Sequence, residues 1–472
     1  MKRLAETVGT AQLIRLLEDW STGDGALHVC LERTLRVLVA SGQIPAGIRL
    51  PSERALGNAL NLSRNTVANA FDTLRGEGLF SSRQGDGTYV TSGASSSRRR
   101  GEDRLHSFID DHAEASPSID LRSAALPGLA MVADEFESFD YRMLRNLVKT
   151  HGYLPWGLPA LRQSVAEYYT DAGMPTSLDQ VLITSGAQQA LRLAAASIAS
   201  PGSTVLVEEP TFRGAIESLR TLGAHVVPIP DLDDPNFSQR TSSMISRFKP
   251  VLLVVQSMLN NPTGRVMSEP QKRRMATLAS AAGAAMIDDA TMADTVIDPK
   301  DSPPLSRFFP GLITVGSMSK SFWGGLRVGW IRADARTVAA LASAKGVDDL
   351  GTSLLAQSVA MSLLPRIAEA RHARREVLLP ARARILEVLE QELPDWEAVV
   401  PAGGASLWVR LPRGSATAFA QHAERFGVKL LPGTIFSAAD QLDDHIRVAF
   451  ADDVELTVRA LRILGPLWKT FA

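Results

Sequence analysis

Five short apolar runs constrain this chain more than any other feature: Val181-Leu182-Ile183-Thr184, Thr204-Val205-Leu206-Val207, Val251-Leu252-Leu253-Val254-Val255, Ala284-Ala285-Met286-Ile287 and Leu312-Ile313-Thr314-Val315. Runs of this length without alternation suit strands buried on both faces. Helical patterns fill the intervals, and strand–helix alternation argues an α/β fold with a largely parallel sheet. Such sheets bind ligands beyond the carboxyl ends of their strands. Each run here ends in a polar or glycine-bearing element, so the chemistry is sought there. No Gly-x-Gly-x-x-Gly follows any of them, which argues against a dinucleotide site.

The last run leads into Gly316-Ser317-Met318-Ser319-Lys320-Ser321-Phe322-Trp323-Gly324-Gly325-Leu326-Arg327-Val328-Gly329-Trp330. At a strand end Ser317, Ser319 and Arg327 suit a dianionic phosphate, with hydroxyls and a forked guanidinium as donors. A lysine partly desolvated beside another cation has a lowered pKa, and its amine attacks an aldehyde. Pyridoxal 5'-phosphate (PLP) carries both groups. A lone Ser-x-Ser-Lys is more often a surface loop, and other segments must decide. Ser185-Gly186-Ala187-Gln188-Gln189 opens a helix expected over 190–199, and free amides at a helix start bind phosphate.

The lysine segment resembles the lysine loop of fold-type I PLP enzymes, the aspartate aminotransferase superfamily. The resemblance implies a large and a small lobe, with Lys320 holding PLP. Gly186, Ala187 and Gln188 join Ser317, Ser319 and Arg327 at its phosphate, and Phe212 stacks on its ring. Asn261, in Asn260-Asn261-Pro262-Thr263-Gly264, bonds the phenolate oxygen. A carboxylate of Asp288-Asp289 meets the pyridine nitrogen; the family pattern favours Asp289 and leaves the register open. Tyr153 reaches the phosphate of a neighbouring subunit, and Arg447, in His445-Ile446-Arg447-Val448-Ala449-Phe450, takes the effector α-carboxylate. Met292 stands where many transaminases carry a tyrosine, which puts efficient turnover in doubt.

The N-terminal region is organised differently. Leu13 to Trp20 and Leu27 to Ala40 are amphipathic helices, the second with Leu31, Leu35, Leu38 and Val39 on one side. Ser52 caps a third, with Leu56, Ala59 and Leu60 apolar. Ser63 caps a fourth, with Val67, Phe71 and Leu74 at helical spacing. A tight turn between the last two gives helix-turn-helix geometry. Two β-type runs flank Gly85-Asp86-Gly87 as a wing. Leu50-Pro51-Ser52-Glu53-Arg54, Ser63-Arg64-Asn65-Thr66-Val67, Leu74-Arg75-Gly76-Glu77-Gly78-Leu79 and Gly85-Asp86-Gly87-Thr88-Tyr89-Val90 together resemble the winged helix of GntR-type bacterial regulators. That resemblance puts Arg49, Ser52, Arg54, Ser63, Arg64, Asn65 and Thr66 at DNA and brings Gly85 to the minor groove. Residues 27–90 hold seven arginines, no lysine and five acids, net +2, so electrostatic grip is modest and salt-sensitive.

The expected division is residues 1–90 as the winged helix, a Ser/Arg-rich tether over 91–118, and a PLP-binding body over 119–472, its large lobe about 155–345. This order resembles the MocR-like subgroup of GntR regulators. It implies a head-to-tail homodimer on double-stranded promoter DNA, answering to PLP, an amino acid or a small amine. An active aminotransferase carrying a DNA-binding domain is the alternative. The net charge of −1 over 472 residues shows no overall basic excess. The single cysteine, Cys30, excludes an internal disulfide framework and suits a reducing bacterial cytoplasm. No signal core, membrane span or metal-binding cluster is expected.

Overall fold

The structure is a computed structural model. It describes residues 10–471 apart from 18–19, 21–26, 41–43, 45–47, 61, 77–78, 84–86, 91–117, 299–301 and 452. The chain divides into two units, Met1–Arg104 and Leu105–Ala472. The division falls within the expected tether, nearly all of which lies outside the described residues.

The first unit comprises α1 (Thr10–Leu17), α2 (Leu27–Ala40), α3 (Glu53–Leu60), α4 (Arg64–Gly76) and the antiparallel hairpin β1 (Phe80–Arg83) and β2 (Gly87–Val90). The expected last residue of α1, Trp20, lies in a turn, its amide bonded back to the Leu17 carbonyl at 3.1 Å. Leu13, Leu31, Leu35, Leu56, Val67, Phe71 and Leu74 share one core with Phe80 and Val90. Ala59 is exposed instead of joining it. Both expected caps form: Ala55 N donates to Ser52 Oγ at 3.2 Å and Thr66 N to Ser63 Oγ at 3.1 Å. Arg75, in the last turn of α4, reaches Glu53 in the first turn of α3 at 2.6 Å. Residues 48–50 add a third rung to the wing, with Leu50 N on Thr88 O and Val90 N on Ile48 O.

Among the described residues the first element of the second unit is β3 (Ile119–Asp120), and the unit contains a seven-stranded sheet. Its strands are β4 (Val181–Thr184), β5 (Thr204–Val207), β6 (His225–Pro228), β7 (Leu252–Val255), β8 (Ala285–Asp289), β9 (Ile313–Ser317) and β10 (Gly329–Arg332). Their spatial order is β4-β10-β9-β8-β7-β5-β6, and β10 runs antiparallel to both neighbours. Residues 318–328 are too few for the helical crossover that a parallel return requires, so the chain doubles back. Each of the five expected strands is present and buried. The helix after β4 spans Ala187–Ala196, three residues earlier than expected, because Gly186 at φ +103° is already its N-cap.

A smaller antiparallel sheet is formed by β11 (Glu397–Val399), β12 (Ser406–Arg410), β14 (Leu431–Pro432) and β15 (His445–Ala449). Strand β13 (Val428–Lys429) pairs in parallel with β3, drawing Ile119 and Asp120 into this lobe. Ile385, Leu389, Trp396, Phe419 and Trp468 anchor its core. Among the described residues no helix is long and apolar enough to cross a membrane, and no cluster of His, Cys, Asp or Glu is arranged to hold a metal.

Candidate functional site

The segments after β4, β5, β7, β8 and β9 converge on one cavity of about 220 Å³. Ala187, Gln188, Phe212, Asn261, Asp289, Ser317, Ser319, Lys320, Arg327 and Arg447 all line it. Gly186 caps the helix at its edge. Tyr153 does not line it; that side chain is 59% exposed and stacks on His151.

The pleat separates the two aspartates of β8. Asp289 faces the cavity: Thr291 N donates to its Oδ1 at 3.1 Å and Gln256 Nε2 to its Oδ2 at 3.4 Å. Asp288 faces the other side of the sheet, where Ser257 donates to both its oxygens, from the amide at 2.8 Å and from the hydroxyl at 2.5 Å. Burial pushes Asp288 up to about 6, and burial raises Asp289 as well. Lys320 Nζ donates to Ala124 O at 3.2 Å. Burial first, then the cations Arg447 and Arg374, bring Lys320 down to about 8. A neutral amine is a nucleophile, and this environment raises its fraction above that of an ordinary lysine.

At the end of the cavity formed by the lysine loop, Ser317 Oγ donates to Ser319 Oγ at 2.8 Å, and Arg327 Nη2 donates to Ser185 O at 2.9 Å. The Arg327 guanidinium lies so close to Gly186 that a Cβ there would sit 2.7 Å from Nη2. At the opposite end Arg447 is buried on β15, its guanidinium 5.0 Å from the Phe436 ring centroid. Its Nη2 donates to Arg122 O, its Nη1 to Asn261 Oδ1 at 3.4 Å, and its Nε has no partner. Burial, with Arg213 nearby, brings Arg447 down to about 9. A buried guanidinium with an orphaned N–H is built to receive an anion.

Sequence reasoning missed Arg213, Gln256 and Thr291, which also line the cavity. Arg213 begins the helix Arg213–Thr221 and is 4% exposed. An arginine directly after Phe212 has no pattern of its own; only the fold shows that it points inward. Arg374, from the long helix Ile367–Glu392, donates to Ser321 O at 3.1 Å and Phe322 O at 2.6 Å, holding the lysine loop from behind. The cavity thus sets Lys320, Arg213, Arg327 and Arg447 against one carboxylate, Asp289. A dianionic aromatic aldehyde fits this set: amides, hydroxyls and guanidinium for phosphate, amine for aldehyde, carboxylate for a ring N–H.

In the first unit, Arg49, Ser52, Arg54, Ser63 and Asn65 are exposed and Thr66 is half-buried. Asn65 and Thr66 stand in the first turn of α4, and Arg49 packs its guanidinium over Gly87 of the wing. The two serine hydroxyls are engaged as caps. Gly85 and the side chain of Arg64 lie outside the described residues.

The model of the family described as Aminotransferase class I and II matches residues 135–463. The chain belongs to this family. A second model, described as Bacterial regulatory proteins, gntR family, matches residues 30–90. The chain is therefore a GntR-type helix-turn-helix domain joined to an aminotransferase-like unit of fold-type I. The uncharacterized HTH-type transcriptional regulator YisV of Bacillus subtilis is 26% identical over 94% of this chain and 97% of its own. The probable rhizopine catabolism regulatory protein MocR of Rhizobium meliloti is 27% identical over 65% of either chain. Among solved structures, the chain is similar to LysN, the alpha-aminoadipate aminotransferase of Thermus thermophilus complexed with N-(5'-phosphopyridoxyl)-L-leucine. Its TM-score is 0.69 at 26% identity, over 78% of this chain and 96% of that one.

Proposed function

We propose that this chain is a PLP-binding transcriptional regulator of the MocR-like kind, in which the aminotransferase-like unit senses PLP or an amino-acid or amine effector and the winged helix binds promoter DNA. The observation that carries the reading is the joining, in one chain, of a GntR-type domain to a cavity holding Lys320, Asp289, Asn261 and Arg447 together. Similarity to YisV spans both units, which supports a regulator over an enzyme with an accidental appendage.

PLP, when bound, supplies an aldehyde that captures amines and an electron-withdrawing ring. Lys320 would provide the amine for that aldehyde. Gly186, Ala187, Gln188, Ser317, Ser319 and Arg327 bind the phosphate; Phe212 orients the ring; Asn261 and Asp289 hold its oxygen and nitrogen edges. Arg447 accepts the effector carboxylate. Arg49, Ser52, Arg54, Ser63, Arg64, Asn65, Thr66 and Gly85 meet phosphates and base edges. Tyr153, exposed in the single chain, serves a neighbouring subunit in a head-to-tail homodimer. An isologous two-fold dimer matches half-sites related by symmetry. Effector and DNA are then linked through differential affinity for two conformations. The bacterial cytoplasm is where such a protein works.

A working aminotransferase is the second reading, favoured by the intact Lys320, Asp289, Asn261 and Arg447 set. Met292, buried in the cavity wall where many transaminases carry a tyrosine, weighs against it. Mobility-shift titration of the chain on its own upstream DNA, with and without PLP and amino acids, tests the regulator. Steady-state turnover with amino donors and keto acids tests the enzyme. DNA binding that PLP or an amine alters, with negligible turnover, is the expected result. Turnover at ordinary transaminase rates without DNA binding would overturn the proposal.

A further inference from the structure

Behind the central sheet, on the face opposite Lys320, lies a second cavity of about 480 Å³, more than twice the volume of the first. It opens where two core clusters fail to meet. One covers β4 and β10 through Val181, Ile183 and Trp330; the other covers β5, β7 and β8 through Leu206, Leu253 and Met286. Between them β8 and β9 present Asp288 and Thr314, paired in register and both lining the gap. Polar side chains at the middle of a buried sheet leave no apolar surface for the clusters to join across.

Three observations point to a ligand. Thr314 is 4% exposed and its Oγ1 has no partner, although Asp288 beside it is satisfied by Ser257. A buried hydroxyl without a hydrogen bond is unfavourable, and a group that supplies one gains by filling the gap. Met174, Met258, Leu305 and Leu312 make the walls apolar. The mouth carries Arg371, His372 and Arg375 from the first turns of the long helix. Arg371 is held by Asp294 at 2.7 Å and lies over the Tyr168 ring, and His372 faces Glu376 at 3.2 Å. Arg375 is exposed, and no ion pair holds it among the described residues.

We propose that this cavity is a second ligand site, for an apolar carboxylic acid bearing a distal hydroxyl or carbonyl. The carboxylate meets Arg375 at the mouth, the apolar body lies along the methionine and leucine walls, and the distal oxygen pairs with Thr314 on the floor. The site is independent of PLP, because no residue that holds the cofactor lines it. It goes beyond the regulator reading: its ligand would act from behind the strand that carries Asp289.

Isothermal titration of the full chain with 3-(4-hydroxyphenyl)propionate tests this, with 3-phenylpropionate and 4-ethylphenol as partial probes. The full probe is expected to bind more tightly than either, in wild type and in Lys320→Ala alike. Thr314→Val, nearly isosteric, should weaken the hydroxylated acid about tenfold and leave 3-phenylpropionate unchanged, as loss of one hydrogen bond requires. Arg375→Glu, on the surface, should weaken both acids and spare 4-ethylphenol. Absence of binding at millimolar probe would overturn the proposal. So would binding lost in Lys320→Ala, or binding indifferent to both Thr314→Val and Arg375→Glu.

Discussion

Asp288 and Asp289, consecutive on β8, open onto opposite faces of the central sheet: Asp289 lines the Lys320 cavity and Asp288 the larger cavity behind it. The two substitutions should therefore separate cleanly. Asp289→Asn is expected to shift the visible absorbance of the PLP-loaded chain and lower PLP affinity at least tenfold. Asp288→Asn should leave that spectrum in place and lower the unfolding midpoint, since one of two Ser257 donors then faces an amide N–H₂. The cost is about 1–3 kcal/mol. Absorbance spectra and thermal melts of both variants check this.

Lys320 gives a pH prediction with a definite sign. Burial and the cations Arg447 and Arg374 favour the neutral amine and bring its pKa to about 8, from 10.5. The rate of PLP capture should rise with pH and level off above about 8, well below an ordinary lysine. Arg447→Met removes one of the cations, so the midpoint should move upward. A stopped-flow series from pH 6 to 10 measures both midpoints; identical midpoints would contradict the electrostatic account. Lys320→Ala should show no visible band at any pH.

Arg447 carries an orphaned buried N–H, and its hydrogen bonds go to the Arg122 carbonyl and the Asn261 amide oxygen rather than to an acid. Arg447→Lys is expected to weaken carboxylate-bearing effectors by about tenfold or more while PLP affinity changes little, because a lysine cannot reproduce the fork. Titrating the PLP-loaded chain with amino acids and with decarboxylated amines checks this. The amines should be indifferent to the substitution.

The strands, the two serine caps and the lysine loop are legible in the sequence because each is a local pattern: an apolar run, a hydroxyl before a helix, a lysine among small residues and glycines. The register of Asp288 and Asp289 is not, since two adjacent carboxylates look alike until the pleat assigns each a face. Arg213 escapes because its inward direction depends on how the Phe212 turn enters its helix. The second cavity escapes for a different reason. A void is where two clusters do not meet, and no stretch of sequence spells it. The helix after β4 reads three residues late because Gln188 and Gln189 look like loop; Gln188 in fact spends its amide on Gly214 O and Ser218 Oγ.

In the winged-helix unit, Asn65 at the first turn of α4 is expected to contact base edges and Arg54 a phosphate. Asn65→Ala should lower discrimination between specific and mismatched DNA, with a cost of about 1–3 kcal/mol confined to the cognate site. Arg54→Ala should weaken all sequences alike and reduce the salt slope by about 1. Fluorescence anisotropy at several salt concentrations distinguishes the two.

Arg327 holds a left-handed backbone, φ +51°, in a loop where glycines stand at 324, 325 and 329. A side chain in that region costs about 1–2 kcal/mol, which Gly would avoid. Arg327→Gly should therefore relax the loop and stabilise the empty protein even as it removes the guanidinium beside Gly186. Robustness and cofactor retention pull in opposite directions at one φ angle, so a screen for thermal resilience alone would tend to select chains that have forgotten their vitamin.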